Sequence, residues 1–255
     1  MGNDIPQKGF YFDTRDDRHK YYLDGKLLAG VTTILKTISP VSFDDEGNVV
    51  SKTDKLTAWA VNLVAEACDQ NAEKIAIAKG KERQNIIAEC KRAYKQTRDK
   101  AAGHGTDIHA AIEAYLKYYT IPTDEQAIKA VWYVKQHIKN SKVLYIEKQL
   151  YSRRLKIAGT CDLVFKNANG EIVLADFKTS SRFYPEMFWQ IAGYSLMLRE
   201  MQKESGKKPY AFSRYEIIHL PKTGDYNIFE TPADLKYEKA FRAALDIYRI
   251  SLGQE

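Results

Sequence analysis

Two neighbouring segments in the second half of the chain carry residue types that metal-dependent hydrolysis uses. Asp162 closes a Gly-x-x-Asp sequence, and Asp176 and Lys178 follow in an Asp-x-Lys sequence after an Asn-Ala-Asn-Gly turn. Alternate side chains of an extended strand share a face, so Asp176 and Lys178 should point the same way while Phe177 points into packing. Antiparallel pairing through the turn would bring Asp162 opposite the Asp176 end. Two carboxylates and one lysine would then share one patch of the sheet.

Carboxylates placed this close together repel each other, and burial penalises the charge on both. A hard divalent cation, Mg²⁺ or Mn²⁺, relieves both effects, and the Phe177 carbonyl could join Asp162 and Asp176 as a ligand. Lys178 would then orient the attacking water or stabilise the charge that develops on a phosphate. The alternative is an ordinary salt bridge between strands, because Asp-x-Lys triplets are frequent by chance.

Two pairs of helical residues could complete this site. Gln190 and Tyr194 are four residues apart on the helix expected after the third strand, so they share one face. His109 and Glu113 are likewise one turn apart on an earlier helix. His109 could supply a further metal ligand or contact a phosphate, with Glu113 orienting its ring. Taken singly, a helical histidine is more often structural, and a pair such as Gln190 and Tyr194 more often packs on a sheet.

The order of these motifs resembles the PD-(D/E)XK nuclease superfamily: a helical His, Gly-x-x-Asp, Asp-x-Lys and then Gln-x-x-x-Tyr. Within it, the order is similar to the RecB-like exonuclease branch, which includes the mitochondrial genome maintenance exonuclease and related phage exonucleases. The specific motifs run from His109 to Tyr194, roughly a third of the chain. The four cysteines of the iron-sulfur branch are absent, so no iron-sulfur cluster is expected.

The resemblance implies a role for each motif residue. It makes Asp162 and Asp176 metal-binding carboxylates, Lys178 the catalytic lysine, and His109 the metal-site histidine. Gln190 and Tyr194 would position DNA or support the site. Glu147, on the strand before Asp162, would either join the site as a supporting residue or pair with a neighbouring lysine.

Basic and aromatic side chains outside these motifs could bind DNA. One helix carries a basic stripe, a second basic cluster precedes the Asp162 strand, and two residues follow the catalytic strand. Phosphate contacts would set position and affinity without sequence preference, and base stacking tolerates any sequence. The stripe could also be an ordinary solvated helix face. The candidates are Lys91, Lys95, Arg98, Arg153, Arg154, Arg182 and Tyr184.

Periodicity indicates which elements carry these residues. An Asp-Gly hairpin is expected at residues 21–28, a loop at 41–53, and helices from about 53 to 140 with breaks near 80, at 103–105 and at 121–123. Alternation then predicts an antiparallel meander at 143–151, 157–165 and 171–179. A helix at 185–204, strands at 215–220 and 226–230, and a last helix at 232–252 should follow.

This pattern predicts a single α+β nuclease domain over residues 1–255. A hairpin and a mostly helical part would extend to about residue 140, and the catalytic core would occupy about 141–255. The resemblance implies a restriction-endonuclease-like core, in which helices flank a mixed sheet that contains the antiparallel meander.

Composition excludes several other classes of protein. With 255 residues, 44% hydrophobic and 12% aromatic, the chain can bury a sizeable core, which excludes disorder and fibres. A net charge of +6 permits a polyanionic partner, and three scattered cysteines indicate neither a disulfide framework nor a zinc knuckle. The apolar runs are too short to cross a bilayer, and no P-loop sequence is present, so neither a membrane nor ATP is expected. We expect a cytoplasmic protein of a bacterial or phage-infected cell.

The expected function is metal-dependent exonucleolytic hydrolysis of DNA, at single-stranded or duplex ends. The resemblance suggests phage or bacterial recombination, repair or processing, where a single-strand annealing or recombination protein could be a partner. Two alternatives stay open: a structure-selective endonuclease on the same core, and a nucleic-acid-binding protein without catalysis. RNA also stays open as the substrate, because a metal site directed at the backbone does not distinguish sugars.

Overall fold

The computed structural model describes residues 7–14, 20–38, 41–43, 46 and 48–254. Within these ranges the strands are β1 (Phe10–Asp13), β2 (Lys20–Leu23), β3 (Lys26–Gly30), β4 (Val41–Phe43), β5 (Val49–Ser51), β6 (Lys142–Ser152), β7 (Ile157–Lys166), β8 (Ile172–Lys178), β9 (Phe212–His219) and β10 (Asn227–Pro232). The helices are α1 (Val31–Leu35), α2 (Lys52–Gln70), α3 (Ala72–Ile77), α4 (Gly80–Tyr118), α5 (Glu125–His137), α6 (Glu186–Glu204) and α7 (Leu235–Ser251). None of these helices combines the length and the apolar character that crossing a bilayer requires.

One mixed sheet contains most of the strands. Its order is β1-β2-β3-β7-β8-β9-β10, and β6 pairs with β7 beside this path. The strands β6, β7 and β8 form an antiparallel meander, whereas β3 pairs with β7 and β8 pairs with β9 in parallel. The predicted α+β fold and its meander are therefore confirmed, as is the predicted hairpin, in which Tyr21 lies opposite Leu28.

Helices cover both faces of this sheet, because its central strands are apolar on both sides. On one face, Leu174 of β8 packs in a core with Ile191 of α6 and Phe241 of α7. On the other face, Phe177 of β8 packs in a core with Ile112 of α4. The strands that carry the candidate residues therefore form the middle layer of three.

By compactness the chain divides into two units. The first contains residues 1–38 and 108–255, and with them the whole mixed sheet; the second contains residues 39–107. In the second unit, α2 begins with a capping box in which the Ser51 side chain accepts from the Asp54 N–H. Trp59 of α2 lies edge-on to Tyr94 of α4, with 5.5 Å between ring centroids. The capping box fixes where α2 begins, and the ring contact packs α2 against α4 within this unit.

Two predictions from periodicity are wrong. Helix α4 runs unbroken from Gly80 to Tyr118, through the break predicted at residues 103–105. A glycine costs about 1 kcal/mol in a helix interior, which the rest of a long helix offsets. The segment predicted as a loop at 41–53 contains the β4–β5 hairpin, and α2 begins at Lys52.

Gly193 provides a test of the packing between α6 and α7. A Cβ at this position would lie 2.9 Å from Cε2 and 3.0 Å from Cζ of Phe241, whose side chain is fully buried. Gly193→Ala should therefore lower the free energy of unfolding by about 1–3 kcal/mol. Gly103→Ala is the control, because a Cβ there meets no atom within 4 Å and should stabilise α4 by about 0.5–1 kcal/mol. Chemical denaturation measures both, and equal effects would contradict this packing.

Candidate metal centre

The site lies where two strands of the meander stop pairing. The last pair of the β7–β8 ladder is Leu163 with Ala175, although both strands continue beyond it. There, Asp162 Oδ2 accepts a hydrogen bond from the Phe177 N–H at 2.7 Å. A carboxylate thus takes the place of the missing strand partner, which satisfies a buried backbone donor and fixes the Asp162 side chain.

Asp176 and Lys178 project from β8 on the same side, as the alternation predicts, and they form an ion pair. Asp176 is 1% exposed, and Gln190 Nε2 of α6 donates to its Oδ1 at 3.2 Å. Phe177, between them, packs in the core on the opposite face of the sheet. Asp162 lies close enough to influence the pKa of both Asp176 and Lys178. The convergence of two carboxylates and one lysine is therefore present.

His109 enters the site from α4. Its Nε2 lies 3.1 Å from the Phe177 carbonyl oxygen, and its ring packs edge-on against the Phe177 ring. An N–H must donate to a carbonyl, so Nε2 carries the hydrogen and Nδ1 faces the carboxylates. Nδ1 is 3.5 Å from both Glu147 Oε1 and Asp162 Oδ2. This orientation makes Nδ1 available as a ligand once its own proton is lost.

Glu147 reaches the same point from β6. The β6–β7 register places its two neighbours opposite Leu163 and Cys161, so Glu147 lies opposite Asp162. Its φ of 46° is in the left-handed region, which costs a residue other than glycine about 1–3 kcal/mol. Its Oε1 is buried and faces His109 Nδ1 at 3.5 Å. A strained backbone that carries a buried carboxylate indicates a function for Glu147 that the fold alone does not require.

His109, Glu147 and Asp162 fit a divalent cation. Each offers one ligand atom, and these atoms lie within 4.8 Å of one another. One nitrogen and two carboxylate oxygens suit Mg²⁺ or Mn²⁺, and a cation would take the place of the His109 proton that Glu147 and Asp162 now face. Of the predicted ligands, His109 and Asp162 belong to this group. Asp176 and the Phe177 carbonyl have protein partners here, so their ligation stays a prediction.

Burial and mutual charge set the protonation of these groups in the metal-free protein. Burial raises the pKa of Asp176 to about 6, although Lys178 opposes the shift, and burial also raises the pKa of Asp162. Burial would lower the pKa of His109, but Asp162 and Glu147 outweigh it and raise this pKa to about 9. His109 is therefore protonated at neutral pH, and a cation must displace that proton.

Glu113 does not orient the His109 ring in this structure. Its carboxylate pairs with Lys117, one turn further along α4. The two ring nitrogens of His109 instead face the Phe177 carbonyl and the Glu147 and Asp162 carboxylates. On a helix, Glu113 is as close to residue 117 as to residue 109, so spacing could not decide between the two partners.

Gln190 and Tyr194 support β8 from α6. Gln190 Nε2 donates to the Tyr194 hydroxyl oxygen at 2.7 Å as well as to Asp176. A Cβ at Gly159 of β7 would stand 2.7 Å from Tyr194 Cε1. Gly159 therefore makes room for the buried Tyr194 ring, and the Gly-x-x-Asp and Gln-x-x-x-Tyr motifs belong to one packing arrangement. A contact of Gln190 or Tyr194 with DNA stays a prediction.

Tyr21 of β2 also lies beside the site, which sequence reasoning missed. Its hydroxyl is 3.1 Å from Thr160 Oγ1, across 139 residues of sequence. Burial raises the pKa of this phenol, and Glu147 and Asp162 add to the shift. The parallel pairing of β3 with β7 brings the hairpin to the site. The aromatic pattern around Tyr21 signals only a strand, so no local feature could have predicted the contact.

The predicted DNA-binding residues fall in three parts of the chain. Three are exposed on α4 within residues 39–107, two are exposed in the turn after β6, and two follow β8. Of the last two, Arg182 is exposed and Tyr184 packs partly against the core. In chain order they are Lys91, Lys95, Arg98, Arg153, Arg154, Arg182 and Tyr184, and their contact with DNA stays a prediction.

Comparisons with known proteins indicate a family for this arrangement. A model of the PD-(D/E)XK nuclease superfamily matches residues 78–249, which include His109, Glu147, Asp162, Asp176 and Lys178. Among solved structures, one described as "Crystal structure of SSO0001" aligns at 15% identity with a TM-score of 0.35. That alignment covers 76% of this chain and 86% of the other chain. No curated protein matches this chain significantly.

The protonation of His109 predicts that metal affinity depends on pH. Because Nδ1 must lose its proton, the affinity for Mn²⁺ should rise about tenfold per pH unit from about pH 7 and level off above the pKa of about 9. The same proton stabilises the metal-free protein below the ordinary His pKa of 6.5, and this contribution is lost as the pH rises through about 9. Isothermal titration calorimetry across this range measures the affinity.

Two variants provide the controls for this titration. His109→Gln should weaken Mn²⁺ binding and flatten its pH dependence, because the titrating nitrogen is gone. Glu113→Gln should behave like wild type, because Glu113 pairs with Lys117 outside the ligand group. An affinity in the wild-type protein that does not change with pH would contradict the assignment of His109 as a ligand.

Proposed function

The chain belongs to the PD-(D/E)XK nuclease superfamily, and from that premise we propose that it is a Mg²⁺- or Mn²⁺-dependent exonuclease that hydrolyses DNA. The superfamily implies a metal-dependent nuclease. The observation that carries the proposal is the group of His109, Glu147 and Asp162 beside the Asp176–Lys178 ion pair. The motif order resembles the RecB-like branch, which supports an exonuclease that acts in recombination, repair or processing of phage or bacterial DNA.

The ligand group is oriented largely by one residue of β8. A divalent cation held by His109, Glu147 and Asp162 would polarise a phosphodiester and lower the pKa of a bound water. The Phe177 N–H fixes the Asp162 carboxylate, and the Phe177 carbonyl fixes the His109 ring. The N–H and the carbonyl of Phe177 therefore orient two of the three ligands, so these ligands need little reorganisation when a cation binds.

In this proposal Lys178 acts on the reacting phosphate. Burial would lower the pKa of its ammonium, but Asp176 outweighs burial and raises it. Lys178 therefore stays protonated at neutral pH and acts as a donor, either to the attacking water or to the phosphate oxygen on which charge develops. Gln190 holds the other oxygen of Asp176, so the carboxylate that positions the lysine is itself held from α6.

Cleavage of end-labelled linear DNA tests this function directly. Single-stranded and duplex substrates are compared with a closed circle in Mg²⁺, Mn²⁺ or chelator, and we expect metal-dependent loss of the linear molecules alone. Lys178→Ala and Asp162→Asn should each lower the rate by roughly 10²- to 10⁴-fold, while binding in chelator survives. Glu113→Gln is the control and should cleave like wild type, because Glu113 pairs with Lys117.

Other outcomes of this experiment would replace the proposal. Equal cleavage of the circle and the linear molecules would make the protein an endonuclease on the same core. Binding in chelator with no cleavage in either metal would make the acidic group structural and the protein a nucleic-acid-binding one. Cleavage of a labelled RNA but not of DNA would change the substrate and leave the metal centre in place.

A further inference from the structure

A groove of about 880 Å³ lies at the start of β7, apart from the metal centre. Its walls are β3, the turn between β6 and β7, and the last turns of α7. Leu155 and Leu245, which belong to the core of the sheet, form part of its apolar floor. All of these elements belong to the unit that contains the sheet.

The charged side chains that line this groove are mostly basic. Two arginines build its walls, because Arg153 pairs with Asp24 at 2.8 Å and Arg249 donates to the Leu155 carbonyl oxygen at 2.8 Å. Only one acidic side chain, that of Asp24, lines the groove among the described residues. Against it stand five cations: Lys26, Arg153, Arg154, Lys156 and Arg249.

Three of these cations face solvent and are not used to hold the walls. The Arg154 side chain is 65% exposed, and its Nε lies 4.0 Å from Glu200 Oε2, which is a long distance for an ion pair. Lys26 and Lys156 are exposed, and neither has an ion-pair partner within the described ranges. Lys156 also has a left-handed backbone, with a φ of 52°, where glycine is the residue without strain. Stability alone therefore does not account for a lysine at this position.

We propose that this groove binds the phosphodiester backbone of the same nucleic-acid strand that the metal centre cleaves, and so anchors the substrate at a distance from the reaction. The proposal rests on the proposed nuclease function. Excess positive charge in a groove selects a polyanion, and contacts to phosphates add affinity without reading sequence. An acidic protein partner would instead have to bury apolar side chains of its own against the floor of the groove. The binding experiment distinguishes this alternative from a nucleic acid.

The sheet fixes the separation of the two sites. Lys156 directly precedes β7, and the strand runs from there to Asp162. Five to six residues of extended chain span about 17–20 Å, which corresponds to about five or six nucleotides of a duplex strand. An oligonucleotide of about twenty nucleotides is therefore long enough to reach both sites.

The test measures affinity by fluorescence anisotropy in chelator, so that cleavage plays no part. A labelled oligonucleotide of about twenty nucleotides is titrated with each protein. The double variant Lys26→Gln/Lys156→Gln should bind the long oligonucleotide at least about fivefold more weakly at low salt, with the slope of log affinity against log salt reduced by about two. Lys139→Gln/Lys222→Gln, which changes two exposed lysines outside the groove, is the matched control.

The outcomes separate this proposal from the nuclease function. A long-oligonucleotide affinity and salt slope that match those of the control variant would overturn the groove, even if the wild type cleaves DNA. Weakened binding by the groove variant together with no cleavage by wild type would support nucleic-acid binding in the groove and contradict the nuclease function. Lack of nucleic-acid binding by wild type would overturn the proposal for the groove and favour an acidic protein partner.

Discussion

Repulsion among three carboxylates with little access to water is the constraint on which the site depends. Glu147, Asp162 and Asp176 come from consecutive strands of one meander, and burial raises the pKa of both aspartates. Positive charge on His109 and Lys178 offsets part of this repulsion. A divalent cation would offset the rest. The arrangement that costs stability in the metal-free protein is therefore the one that creates affinity for the metal.

Strand β7 sets the geometry because it changes partners along its length. Its first residues pair in parallel with β3, and its last residues pair antiparallel with β8. Asp162 lies between these two ladders, where β8 no longer pairs with β7 and the Phe177 N–H donates to the Asp162 carboxylate instead. A strand that was paired along both edges throughout would leave no opening for charged side chains. The cores on the two faces, with Phe177 in one and Tyr194 in the other, hold this opening in place.

The sequence could predict positions that depend on one strand or helix alone, but not those that depend on how separate elements pair. Alternation places Asp176 and Lys178 on one face because the period of a strand does not depend on the rest of the fold. The position of Glu147 depends on the β6–β7 register and on a left-handed backbone, neither of which a local pattern signals. Glu113 has two neighbours at equal helical spacing, and the charge of Lys117 decides between them. The same holds for the loop predicted at 41–53, where pairing of β4 with β5 forms a hairpin that local polarity does not reveal.

The close approach of Gly159 to Tyr194 links two positions that are far apart in the chain. A side chain at position 159 would enter the volume of the Tyr194 ring. A small residue at position 194 would leave a cavity and remove the hydroxyl that accepts from Gln190. Mutations at the two positions are therefore epistatic: each is harmful alone, and the second changes the effect of the first. Across evolution, related chains should keep this glycine and this tyrosine together or replace both, so that the two motifs are inherited as one trait.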